Sequence, residues 1–403
     1  MRREIQKQNN FKQELRFILA AFLLPFCAIL ALGLLCLGRE LMKDGDAEPS
    51  SSISWPLAAV DTATSSLPEA AGANGAEQEG TSRSDRWDDS VTLTVLIGGE
   101  ERTMTLGDYL WGVVAAEMPA GFEQQALNAQ AAAARTYTVY QMLHHTAAHT
   151  ADLCDDVGCC QAWISREERA EKWAGEDADA LSAKITQAVA DTDGMAVCYE
   201  GAPIQALFHA ASAAFTRSAA EVFGEELPYL QSVESPEGDE VPNYYSVVTV
   251  PSTEFVEKLT AAAPGCDFSG DSSGWIGPTV YDAAGLSTAV QIGGQEVPTR
   301  TLRTLFSLRS SSLSVEMRDG NAVFYVTGYG HGVGMSQYGA NALAKQGKSW
   351  QEILTWYYSG TDVENLADKN LDLGENEVLV LWRLPKASPQ GEGFRCGADS
   401  FRV

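Results

Sequence analysis

The sequence predicts an α+β fold: a single mixed exoplasmic domain carried by an N-terminal transmembrane helix. Three observations predict it. Strand and helix patterns alternate between residues 89 and 365 without a regular strand-helix-strand repeat. A long apolar run lies near the start of the chain, and a stretch without apolar period separates it from the patterned region.

Residues 17–37 are apolar apart from a mid-span Pro25, close to the roughly 20 residues a helix needs to cross a bilayer. Arg2, Arg3, Lys7, Lys12 and Arg16 precede them, and the positive-inside rule keeps residues 1–16 cytoplasmic. A cleaved signal peptide is the alternative, but the run is long for one and no small-x-small site directly follows it. The Leu32-Gly-Leu-Leu-Cys36 stretch makes a poor lipobox because a large residue precedes the cysteine. Residues 17–37 are therefore expected to be a retained single-pass anchor in the cell membrane, with the remainder outside the cytoplasm. Residues 38–88, rich in Ala, Ser, Gly, Asp and Glu, read as a flexible linker. A formal net charge of −26 argues against nucleic acid as a partner, since that needs a basic surface. It leaves a neutral or zwitterionic ligand open.

The domain opens with a hairpin pattern, residues 91–97 and 102–105 around Gly98-Gly99. Thr105-Leu-Gly-Asp108 has capping-box spacing, which starts a helix at Leu106, and Pro119 stops it by pushing Met118 out of the α region. An alanine-rich helix follows through residues 126–137. Strands are expected at 194–199, 204–208, 244–250, 290–292 and 323–326, with a helix at 252–262. Ser349-Trp-Gln-Glu352 is a second capping box, whose helix is expected to run to Gly360. Residues 366–403 form a less legible C-terminal extension.

The strongest chemical candidate is Glu117. It falls at the carboxyl end of the first helix, where the macrodipole disfavours negative charge, with Val113, Val114 and Met118 near enough to desolvate it. Both effects raise a carboxyl pKa, as a general acid requires. A solvated glutamate at a helix end is the plain alternative. In the next helix Asn128 and Arg135 share one stripe, and Gln130 and Tyr137 an adjacent one. Among so many alanines these polar side chains are either substrate ligands or a buried network, with an ion pair the structural alternative for Arg135 and core packing that for Tyr137.

Two further constellations follow. His144, His145, His149, Cys154, Cys159 and Cys160 cluster after the second helix. His149, Cys154 and Cys160 are the set chosen for zinc, which takes sulfur and nitrogen tetrahedrally. A disulfide is the alternative outside the cytoplasm. The alternating glycines around His331 do not fit a dinucleotide fingerprint, but they allow close ligand approach and display His331, Ser336 and Gln337. A tight turn with a hydrogen-bonded histidine is the alternative there.

Five blocks in order carry a resemblance to a known family. They are Glu117-Met-Pro119 with the 126–137 helix, Phe208-His-Ala-Ala-Ser212 with Thr216, Pro228-Tyr-Leu-Gln-Ser-Val-Glu-Ser-Pro236, Arg303-Thr-Leu-Phe-Ser-Leu-Arg-Ser310, and Gly330-His-Gly-Val-Gly-Met-Ser-Gln-Tyr-Gly-Ala340. Together these resemble the SpoIID/LytB family. The resemblance implies a peptidoglycan lytic transglycosylase of sporulation engulfment. Glu117 would be catalytic, with Gln130, Arg135, Tyr137, Ser212, His331, Ser336 and Gln337 on the glycan. It further implies denuded glycan strands as substrate and a SpoIIP-type amidase as partner. A non-catalytic LytB-type activator of an amidase is the rival within the same family. The chain departs from the family pattern at Asn128, usually lysine, and at Ala213-Ala214, usually Gly-Gly.

Overall fold

The computed structural model describes residues 86–144, 149–369, 371 and 373. The expected anchor, residues 38–85 of the expected linker and most of the C-terminal extension lie outside them; the linker's last residues, 86–88, are structured, with Asp88 buried at the start of the helix Trp87–Ser90. Among the described residues no helix is long and apolar enough to cross a membrane.

The hairpin forms as expected, Thr92–Ile97 against Glu100–Thr105 with Gly98 and Gly99 in the turn, both at positive φ. It leads straight into the helix Leu106–Glu117, where the Thr105 hydroxyl accepts from the Asp108 amide. Met118 is extended at φ −125°, as a residue before proline prefers. After a short turn the helix Gln124–His144 runs through the middle of the molecule. Its alanines at 126, 129 and 131 to 134 are fully buried. With so little side-chain bulk it packs against Leu106–Glu117, Ala178–Asp191, Gln337–Lys345 and Trp350–Tyr357, and against the strand Met195–Tyr199.

The α+β class holds, and the described residues contain two large hydrophobic cores besides a small cluster of Ala211, Val241 and Tyr244. The first gathers around the central helix and includes segments before residue 245 and after 328. The second is built within the intervening residues. Two three-stranded antiparallel sheets, Leu313–Arg318, Asn321–Thr327 and Tyr245–Pro251 in one and Ile276–Tyr281, Ser287–Ile292 and Gln295–Pro298 in the other, enclose Phe255, Phe306 and Phe324. Phe255 stacks on Phe306 at 5.5 Å between ring centroids. The segment therefore buries its own apolar surface and leaves the first core to close by the return of the chain. That return is a parallel pairing of Met335–Ser336 with Phe208–His209.

Two expectations need correction. Residues 204–208 are not a strand, because pairing is confined to Ala202–Pro203 and Phe208–His209. The Leu207 carbonyl instead accepts from the Met335 amide and the Tyr358 hydroxyl, and the Leu207 amide turns back to Gln205. The last long helix has its full capping box at Ser349 and Glu352 but ends at Tyr357, short of Gly360, because Tyr358 is already extended.

One local strain has a direct consequence. Ala214 sits at φ +68°, a left-handed conformation that costs an L-residue with a Cβ about 1–2 kcal/mol. Ala214→Gly is expected to stabilise the fold by about 1 kcal/mol, since part of the relieved strain returns as entropy of the unfolded chain. Thermal denaturation of the two proteins checks this.

Candidate active site

Glu117 ends its helix half-buried, facing elements far away in sequence. Its Oε1 accepts from the Ala162 amide at 2.9 Å and its Oε2 from Gln337 Nε2 at 3.2 Å. Gln337 Nε2 also lies 3.4 Å from Gln130 Oε1. Burial pushes the Glu117 carboxyl up, while the hydrogen bonds from Ala162 and then Gln337 pull it part of the way back. The result is a carboxyl that binds its proton more tightly than usual, next to two donors that stabilise the anion once the proton leaves. Gln130 Nε2 is buried without a hydrogen-bond partner, so this cluster has donor capacity left over.

Gln337 is delivered by the return of the chain. Ser336, fully buried, caps the helix Gln337–Lys345 by accepting from the Gly339 amide. Its own hydroxyl donates to Glu237 Oε1 at 2.5 Å. Glu237 also accepts from the Ser212 amide at 2.6 Å and the Ser235 hydroxyl at 2.5 Å. The Ser212 hydroxyl donates to His209 Nε2 at 2.6 Å, while His209 Nδ1 faces the Val333 carbonyl and therefore carries the ring proton. Burial lowers the His209 pKa to about 3 and that of His331 to about 4, so both rings are neutral at pH 7. His331 Nδ1 accepts from the Val333 amide, and its ring lies against Phe223 and His209.

The expected site residues thus divide. Gln130 and Gln337 meet Glu117. Ser212 and Ser336 belong to the network around Glu237; Ser336 is fully buried, whereas Ser212 and His331 both line one small cavity. Arg135 and Tyr137 are corrected. The Arg135 guanidinium is fully buried in a bidentate pair with Asp88, at 2.7 and 2.5 Å, and donates also to Thr192 and the Met195 carbonyl. Its stripe faces the core, so the ion-pair alternative describes it. Arg135→Ala is expected to cost about 3–5 kcal/mol by stranding the buried Asp88 carboxylate, measured as lost denaturant stability. Tyr137 is buried too, its hydroxyl 3.4 Å from the Cys159 carbonyl. Its neighbour is the cysteine loop.

The residues missed are Ala162, which acts only through its backbone, His209 inside the second block, and Glu237, which directly follows the Pro228 block. A fourth is Cys159. His149, Cys154, Cys159 and Cys160 place their ligand atoms within 4.8 Å of one another. Tetrahedral zinc with bonds of about 2.3 Å to sulfur and 2.0 Å to nitrogen needs ligand separations of about 3.8 Å for S–S and 3.5 Å for N–S. The structure has 3.9 Å between the sulfurs of Cys159 and Cys160, and 3.4 Å from His149 Nε2 to Cys160 Sγ. His149 Nδ1 gives its proton to the Ala151 carbonyl at 2.8 Å, which turns the Nε2 lone pair toward the sulfurs. A hydrogen bond from Cys160 draws the Cys154 thiol pKa down, the direction a metal-binding thiolate requires. The donor set fits zinc. The loop from this cluster continues through Gln161, whose buried amide donates to Thr138 and Tyr109, to Ala162 at Glu117.

The chain is similar to several known proteins. Residues 99–199, which include Glu117, the central helix and the His/Cys cluster, match the SpoIID model, described as stage II sporulation protein. Stage II sporulation protein D of Bacillus amyloliquefaciens is 38% identical over 262 residues, 64% of this chain and 74% of the relative. Its counterpart from Bacillus subtilis is 38% identical over 263 residues, with the same coverage. An amidase enhancer of Bacillus subtilis is 27% identical over 309 residues, 62% of this chain and 40% of the relative. On the extent of the match to the two sporulation proteins, the chain belongs to the SpoIID family of stage II sporulation proteins.

Proposed function

We propose that the protein is a membrane-anchored, exoplasmic lytic transglycosylase that cleaves denuded peptidoglycan strands during engulfment, with Glu117 as its acid and base. The observation that carries this reading is a single half-buried carboxyl with a raised pKa, held by two donors from separate parts of the chain. Protonated Glu117 gives its proton to the glycosidic oxygen between N-acetylmuramic acid and N-acetylglucosamine as that bond breaks. The carboxylate left behind is stabilised by Ala162 and Gln337. It then takes the proton of the muramoyl 6-hydroxyl, whose oxygen bonds the anomeric carbon and closes a 1,6-anhydro ring without water. Ordinary glycosidases use two carboxylates. Here Glu237, which is bonded to Ser336 beside Gln337, already holds three donors.

Zinc held by His149, Cys154, Cys159 and Cys160 is part of the proposal. With four protein ligands the site is closed, so the metal would staple the loop that carries Ala162 and supply no chemistry of its own. The similarity to the amidase enhancer favours a second reading, a glycan-binding module that stimulates a SpoIIP-type amidase. The two readings separate on cleavage. Incubating the protein with denuded glycan in the absence of any amidase should release saccharides under the first and none under the second.

A further inference from the structure

The sporulation relatives and the proposed chemistry give no role to Glu237, a buried carboxyl group with three donors. It is 5% exposed. Its two oxygens accept from Ser212, Ser235 and Ser336, the three coming from the 208–212 segment, the loop before Glu237 itself, and the cap of the helix Gln337–Lys345. Ser235 continues to the Tyr357 hydroxyl at 2.8 Å. There is no slack around it: a Cβ added to Gly339, in the first turn of that helix, would meet Tyr357, Ser235 and Glu237 oxygens at 2.1, 2.5 and 2.6 Å.

We infer that Glu237 is a positioning residue for Glu117, acting through Ser336 and Gln337. The chain of contacts is short. Glu237 fixes the Ser336 hydroxyl, Ser336 caps the helix and sets where its first residue starts, and that residue, Gln337, donates to Glu117 Oε2. A serine hydroxyl has one proton. Glu237 takes it at 2.5 Å, with the Ala210 carbonyl a more distant acceptor at 3.3 Å. The oxygen lone pairs are thereby left facing the Gly339 amide, as the cap requires. Without Glu237 the hydroxyl can turn, the cap loosens, and the Gln337 amide shifts relative to the carboxyl it stabilises. Misplacement of this kind, well under the size of a side chain, is enough to cost a large share of a catalytic rate.

The inference rests on Glu117 being the acid, and its test is chosen to stand apart from that reading. Carbon NMR of the carboxyl groups follows the Glu117 titration directly, whether or not glycan is cleaved. Glu237→Leu, which fills the space and removes both acceptors, should raise the Glu117 pKa in the same direction as Gln337→Leu. In a Gln337→Leu background it should then have no further effect, because a residue that acts through another is silent once that other is gone. Where cleavage is measured, kcat should fall about 10- to 100-fold with KM within about twofold, and Glu237→Gln should recover part of it through its one remaining acceptor oxygen. Should Glu237→Leu not fold, Ser336→Ala breaks the same link at a cost of about 1 kcal/mol in the cap and is read identically. An unchanged Glu117 pKa in the folded variant, or an equal shift with and without Gln337, overturns the assignment. Absence of cleavage in the unmutated protein counts against the transglycosylase reading alone.

Discussion

Glu117→Gln is expected to reduce release of saccharides from denuded glycan by at least about 10²–10⁴-fold, the usual worth of a general acid or base, while the domain stays folded. The same substitution has a stability signature. Burial raises the folded-state pKa of Glu117 above its unfolded value, so the folded protein binds this proton more tightly than the unfolded chain does. Stability therefore falls as pH rises from the ordinary carboxylate pKa through the raised folded one. Glutamine removes that loss. Glu117→Gln should match the parent in thermal stability below the ordinary carboxylate pKa and exceed it at neutral pH. The neutral amide can keep the Ala162 hydrogen bond, and the Gln337 amide can rotate to accept from the new amide group. Equal or lower stability of the variant at neutral pH would mean that Glu117 is an ordinary solvated carboxylate.

The second large effect is expected at the His/Cys cluster. The purified protein should carry about one equivalent of zinc, and Cys154→Ser should lose it. Structural zinc contributes about 10–16 kcal/mol in zinc-finger peptides, where the whole fold depends on it. This domain has two cores of its own, so a smaller loss of several kcal/mol is expected, concentrated in the 149–163 loop. Because Ala162 lies two residues beyond Cys160 and donates to Glu117, metal removal should also lower kcat. Elemental analysis, and hydrogen exchange across the loop before and after chelation, measure the two parts. A mapped Cys154 to Cys160 disulfide, with no metal and full thermal stability, would rule the site out.

Where local rules decide structure, the sequence was legible. Thr105 and Pro119 bound the helix that ends at Glu117, and Ser349 starts its helix, because caps and prolines act within one turn. The stretch 204–208 has a strand's composition, but its partners are Met335 and Tyr358, more than a hundred residues away. Nothing local records that. Arg135 shows the same limit in the site. Its stripe on the helix was visible, whereas the bidentate partner Asp88 lies 47 residues earlier, in a stretch that reads as linker. Glu117 could be singled out as a candidate because its helix-end position and its apolar neighbours Val113, Val114 and Met118 are local signals. The donors around it could not, since Ala162 contributes only a backbone amide and Gln337 arrives from 220 residues downstream. Glu237 was hidden for a different reason: a carboxyl whose hydrogen-bond donors are serines leaves no charge pattern to find.

Mass spectrometry of the products formed from denuded glycan tests the central claim most directly. If Glu117 alone acts as acid and then base, each cleavage leaves a 1,6-anhydro-muramoyl residue where hydrolysis would leave a reducing end, lighter by one water than that end, and none forms with Glu117→Gln. Reducing ends would show that water is the nucleophile and a second carboxylate takes part. Intact glycan would contradict catalysis altogether and leave the amidase-stimulating module as the function of this fold.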